Sequence, residues 1–115
     1  MSAILQFCRV LEAVHHLAPE RRFSLWIDGE KRNEGTIDDP EALYASAERL
    51  HDQGHALMAV FESAGWMHSL SLYKDGVLCT DQYKPAEGPI SHSGGTVLPQ
   101  EPAAQVARFL LQLPC

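Results

Sequence analysis

The sequence predicts one α+β domain spanning residues 1–115. Its elements run α-β-α-β-β-β-α, giving an antiparallel sheet of about four strands packed by three helices. Three observations point there. Apolar residues recur at three- and four-residue spacings near both ends of the chain and at period two through the middle. The central strand signals follow one another with only tight-turn sequences between them, as in a meander. And a 12.7 kDa chain folds from about 18,400 Å² of surface to about 6,200 Å², enough for one core and too little for two.

The first helix covers Ser2 to Ala18. Ile4, Phe7, Leu11, Val14 and Leu17 make one apolar face, and Pro19 marks the end. Phe23, Leu25 and Ile27 then alternate with Ser24, Trp26 and Asp28, a half-buried strand, before Gly29 opens a charged loop. Asp39 as N-cap and Pro40 at the first helical position start the second helix. Leu43, Ala47 and Leu50 form its buried face, and Gly54 follows its end. Ala56 to Phe61 is apolar throughout, as in a strand covered on both faces. After a turn at Ser63-Ala64-Gly65, Trp66, His68, Leu70 and Leu72 occupy one face of the next strand, with Met67, Ser69, Ser71 and Tyr73 on the other. Lys74-Asp75-Gly76 reverses the chain into Val77 to Tyr83. Residues 84–95, rich in glycine, proline and serine, form a loop, with a short edge strand near Thr96 to Leu98. The last helix starts around Pro102, with Val106, Ala107, Leu110 and Leu113 along one side, and Pro114 stops it.

The formal net charge is −6. Between Asp28 and Glu41, six acids (Asp28, Glu30, Glu34, Asp38, Asp39, Glu41) and two bases (Lys31, Arg32) leave −4 in one segment. Such a field disfavours nucleic acid and favours a basic partner protein. The three cysteines are too few and too scattered for a disulfide scaffold, so Cys8 and Cys79 are expected as core thiols. The amino terminus lacks a basic leader and a cleavage pattern, and no stretch reaches the ~20 apolar residues of a membrane span. A cytoplasmic protein with no membrane association is expected.

Few residues offer chemistry. His51 and His55 have a metal-binding spacing, but Gly54 ends the helix between them. His15 and His16 suit a helix C-terminus. Ser91 and Ser93 flank His92, although neighbours in sequence seldom align as nucleophile and base. Glu62 and Asp81 sit near strand ends and could in principle face each other as an acid pair, but nothing in the sequence fixes a pocket around them. No phosphate loop, dinucleotide fingerprint or zinc-finger spacing occurs, so neither a cofactor nor a metal is expected. Trp26, on the second face of its strand, is either core or a binding anchor.

The closing stretch from Gly94 to Leu110 (GGTVLPQEPAAQVARFL) places a glycine-containing loop before a short strand, an acidic cap and an Ala-rich helix ending in Phe-Leu. This unit resembles the end of immunity proteins of bacterial polymorphic toxin systems, and the hairpin from Trp66 to Tyr83 fits the same pattern. The helix from Asp39 to Gln53 departs from it, and no binding residue is carried over. The resemblance implies a small acidic protein that neutralises a toxin made by the same cell.

Together these features lead to an expected function: a non-catalytic binding module of the immunity or antitoxin type. Its acidic segment (Asp28, Glu30, Glu34, Asp38, Asp39, Glu41) would meet a basic toxin or effector, with Trp26 and His92 as contacts. The alternatives are a secretion chaperone or adaptor acting as a homodimer, and a small enzyme or ligand-binding domain using His92, Glu62 or Asp81.

Overall fold

A computed structural model describes residues 3–84, 93–97 and 102–112. Helix α1 (Ala3–Leu17) is followed by strands β1 (Phe23–Ile27) and β2 (Glu30–Gly35), helix α2 (Pro40–Asp52), strands β3 (Leu57–Ser63), β4 (Trp66–Leu72), β5 (Leu78–Tyr83) and β6 (Ser93–Thr96), and helix α3 (Ala103–Leu111). The sheet is antiparallel throughout in the order β2-β1-β3-β4-β5-β6. The α+β class and the three helices stand as expected. The sheet has six strands rather than about four.

The first extra strand is the supposed charged loop. Asp28 (φ 51°) and Gly29 (φ 83°) both take left-handed backbone, the conformation of the two-residue turn that matches strand twist. Asp-Gly after an alternating run is therefore a hairpin signal. It returns the chain as β2, whose described side chains are almost all exposed. The same turn recurs at Ala64 (φ 51°) and Gly65 (φ 84°) between β3 and β4. The second extra strand, β6, lies a few residues before the edge strand the sequence suggested.

α1 packs against α2 on one side and α3 on the other, and α1 and α3 rest on the same face of the sheet. Alternation along the strands supplies the matching apolar surface. Leu25, Leu57, Ala59, Phe61, Leu70, Leu72 and Leu78 are buried beneath Phe7, Val10, Leu11 and Val14 of α1 and Val106, Ala107 and Leu110 of α3. The apolar run of β3 predicts cover on both faces; α1 and α3 cover the face of Leu57, Ala59 and Phe61, whereas Met58 and Val60 look away from them. Cys8 belongs to the helical core, where burial pushes its thiol up to about 12, so it stays protonated and inert. Cys79 instead faces away from the helices and is half-buried, which corrects the expectation of a core thiol.

α2 begins as its sequence dictates. Asp39 is extended (φ −135°, ψ 94°), and its Oδ1 accepts from the backbone N–H of Glu41 (3.1 Å) and Ala42 (3.2 Å), with Pro40 following. Asp39→Ala leaves those donors without the carboxylate. It is expected to lower stability by about 1 kcal/mol, read from the urea midpoint at constant m-value. The stretch before the cap is anchored by buried Ile37, whose carbonyl accepts from Nδ1 of His15 at 2.5 Å. His15 therefore ties the end of α1 to the approach to α2.

Candidate functional site: the helix-free face of the sheet

The residues pointing away from the helices form a grid fixed by strand register. One row runs Lys31, Trp26, Met58, Ser71, Cys79, Thr96. The next runs Glu34, Ser24, Val60, Ser69, Asp81. A third runs Glu62, Met67, Tyr83. Trp26, Met58, Met67 and Tyr83 are half-buried, while Val60 (6% exposed) and Ser69 (2%) are buried among them.

A concavity of about 420 Å³ opens on this face. Trp26, Val60, Met67 and Tyr83 line it together with Arg21, Arg22, Lys31, Glu34 and Glu62. The Trp26 indole N–H donates to Ser24 Oγ at 3.0 Å. Both lie on the same face two residues apart, so the polar edge of the ring is satisfied without a partner molecule. Arg21 is fixed at the rim by donating through Nη2 to the Glu62 carbonyl and to Ser63 Oγ (2.6 Å).

A bulge builds the other rim. Leu25 pairs with Asn33 and Trp26 with Lys31, so Arg32 is the extra residue on β2. In an unbroken strand, residues three apart face opposite sides; one inserted residue brings Lys31 and Glu34 to the same side. Their side chains form an ion pair, and Arg22 approaches Glu34 at 3.9 Å. These contacts hold the Glu34 carboxyl below its ordinary range, chiefly through the hydrogen bond from Lys31.

The acidic segment is not one continuous patch. Asp28 accepts from the Ala56 N–H (2.9 Å), contacts His55 Nδ1 at 2.5 Å and lies 4.0 Å from Lys74. The backbone hydrogen bond leads in holding its pKa below the usual value, followed by the bond to His55. Glu30 pairs with Arg32 at 3.3 Å. Asp38 accepts from the Thr36 hydroxyl at 2.7 Å, Asp39 caps α2, and Glu41 sits in the first turn of that helix. Of the expected contact residues, Trp26 and Glu34 meet at the concavity; Asp28, Glu30, Asp38, Asp39 and Glu41 lie elsewhere on the surface. His92 lies outside the described residues.

The remaining candidates separate. His51 Nε2 approaches the Tyr73 carbonyl at 3.3 Å while His55 turns to Asp28, so the His-x-x-x-His spacing brings no common ligand position. Glu62 and Asp81 share the helix-free face with β4 running between them. Trp66, half-buried at the start of β4, lies 5.8 Å from the Lys84 ammonium through its ring face. No group of three His, Cys, Asp or Glu suited to a metal ion occurs among the described residues. Nor is any described helix long and apolar enough to cross a membrane.

Arg21, Arg22, Met58, Met67 and Tyr83 did not figure among the sequence candidates. The signal for Met67 was present, since alternation placed it opposite Leu70 and Leu72. What the strand pattern lacked was the pairing order that brings Tyr83, Met67 and Trp26 onto one surface.

His68 is a buried polar residue on the helix face of β4. It is 1% exposed, with its ring edge-on to Phe109 at 5.8 Å and its Nδ1 without a hydrogen-bond partner among the described residues. Burial, helped by the charge of Arg21, lowers its pKa from the ordinary 6.5. The folded state therefore binds fewer protons than the unfolded one in acid. The contribution of His68 is intact above about pH 6.5 and declines as pH falls below that unfolded value, by up to about 1.4 kcal/mol per unit. Urea unfolding of wild type and His68→Leu at pH 7.5 and pH 5 is expected to show the variant gaining on wild type in acid. A difference independent of pH contradicts this account.

Comparison with known proteins adds no relative: no family model, no curated protein and no solved structure matches this chain.

Proposed function

We propose that this chain is a non-catalytic protein-binding module of the immunity or inhibitor type, and that it holds its partner on the helix-free face of the sheet. The observation carrying this reading is the lining of the concavity. Trp26, Tyr83, Met67, Arg21 and Arg22 belong to the residue types that concentrate in the energetic centres of protein interfaces. The polar tips of Trp26 and Arg21 are already bonded within the chain. Both side chains are thus held in place before association, which lowers the entropy lost on binding. The bulge that re-aims Lys31 and the Glu34 bridge do the same for the charged rim.

The partner is a basic protein, a toxin or effector, drawn at long range by the net charge of −6. Because Asp28, Glu30 and Glu34 are already paired with bases, the sheet face is the better supported contact surface, and the net negative charge of the whole chain acts at long range. The test is co-expression with the products of the genes flanking its own. A basic protein should co-elute, and complex formation should change tryptophan fluorescence more in wild type than in Trp26→Phe, which keeps only Trp66. Elution of this chain alone at low salt is the contrary result.

A further inference from the structure

The concavity on the sheet face carries charge of the opposite sign to the chain as a whole. Arg21, Arg22 and Lys31 line it as bases, Glu34 and Glu62 as acids. Lys31 is bonded to Glu34, so those two cancel and leave two guanidiniums against the carboxylate of Glu62. Arg21 is held there by neutral groups. Its backbone N–H donates to the Ala18 carbonyl at 3.0 Å, in the turn after α1, and its Nη2 donates to the Glu62 carbonyl and to Ser63 Oγ. Its Nε and Nη1 have no partner among the described residues. Arg22 lies 3.9 Å from Glu34, outside hydrogen-bond distance, so its donors are unspent among the described residues too. The Glu62 carboxylate forms no ion pair among them either. A guanidinium fixed in place with donors to spare, and no carboxylate bonded to it, is suited to an incoming anion.

Resting on the reading of this face as the contact surface, we infer that the concavity receives an acidic side chain of the partner protein, its carboxylate bonded by Arg21 and Arg22 and its methylene stem against the apolar lining at Trp26 and Val60. The partner is then basic around this point and acidic at it. Charge complementarity selects the group, because an arriving lysine or arginine meets two guanidiniums and a carboxylate already taken by Lys31. A free small acid is the poorer occupant. Arg22, Lys31, Glu34 and Glu62 are exposed, so the concavity leaves much of a lone molecule in water, whereas small-molecule sites bury most of their ligand. A side chain delivered on a protein brings the surrounding interface with it, which excludes water and strengthens charge-assisted bonds. The local inversion also discriminates. The net charge of −6 attracts any basic protein at long range, but only one that presents a carboxylate in register is held.

The experiment titrates isotope-labelled full-length protein with the end-blocked peptide lysine-leucine-glutamate-leucine-lysine and with versions carrying glutamine or lysine at the centre. The Trp26 indole N–H and the Arg21 Nε–H are expected to shift saturably with the glutamate peptide. Central glutamine should weaken binding about fivefold or more, and central lysine further. That order runs against net charge: the chain is acidic, so unspecific attraction favours the lysine peptide instead. Arg21→Gln and Arg22→Gln should each cut the preference for glutamate over glutamine to about twofold or less. Should Arg21→Gln fail to fold, Arg22→Gln, at an exposed position, carries the test. Glu62→Gln removes the competing carboxylate and should tighten the glutamate peptide about twofold or more, a gain that damage to the fold does not produce. Unmoved Trp26 and Arg21 signals at millimolar peptide, equal or tighter binding of the glutamine or lysine peptide, or an undiminished preference in both arginine variants overturns the inference. Binding of free 3-phenylpropionate as tight as the peptide overturns it in favour of a small organic acid. If the lysine peptide binds tightest and still moves Trp26, the face remains the contact surface and only the anchor is wrong. A partner that binds Trp26→Ala as tightly as wild type is the separate result that removes the reading of the face itself.

Discussion

Phe61→Ala is expected to lower the free energy of unfolding by about 3–5 kcal/mol. The side chain is fully buried on the helix side of β3, and its ring stacks on Phe23 at 5.5 Å between centroids and 18° between planes. Its cross-strand neighbour on β4 is His68. Removing the ring leaves a cavity between two strands held rigidly by their ladders, with a polar imidazole at its border, so relaxation recovers little of the lost contact. A domain of this size has a total stability of about 5–15 kcal/mol, and the variant therefore loses a large share of it. Urea unfolding provides the measurement. Phe61→Leu, which retains most of the volume, should lose no more than about 1.5 kcal/mol. A loss below about 1 kcal/mol in the alanine variant would falsify the placement of Phe61 at the centre of the core.

Much of the core around that centre is legible in local pattern. The face of α1, the cap at Asp39 and the alternation of β4 each rest on interactions within a few residues, and each stands in the structure with its ends displaced by at most a few positions. β2 was hidden because its composition argues against a strand: Glu30, Lys31, Arg32, Asn33, Glu34 and Gly35 are poor strand formers, held in the sheet by pairing with β1. The Asp-Gly turn at residues 28 and 29 is the local clue to it. β3 illustrates the opposite error. A continuous apolar run suggests cover on both faces, yet no described helix lies over Met58 and Val60, which are sheltered by their neighbours on the sheet.

The same distinction governs the acidic segment. Counting charge along the chain gives −4 between residues 28 and 41, but folding distributes that charge by side. The turn sends Asp28 to His55, Lys74 and the start of β3. The bulge sends Glu34 to Lys31 and Arg22, and the last acids go to α2. Exposed pairs of this kind contribute little stability, typically under about 1 kcal/mol, but they decide which carboxylates a partner meets already matched. No pattern within the segment encodes Arg22 or Lys74 as partners, because both arrive from other elements.

Trp26→Ala is expected to weaken binding of the partner by about 30- to 1,000-fold, an effect of about 2–4 kcal/mol. The indole lies on the sheet beside Met58 and is locked through Ser24, so its truncation removes apolar area and also opens the centre of the face to water. The loss should appear as faster dissociation, and Trp26→Phe should recover most of it. Charge reversal at Asp38 or Glu41, outside the concavity, should act differently. It should slow association severalfold at low salt, change dissociation little, and converge on wild type as ionic strength rises and screening shortens the reach of the field. Stopped-flow binding of the co-expressed partner at two salt concentrations separates the two effects. Should reversal of Asp38 or Glu41 accelerate dissociation while Trp26→Ala leaves it unchanged, the carboxylates of the α2 end are the contact surface and the sheet face is not.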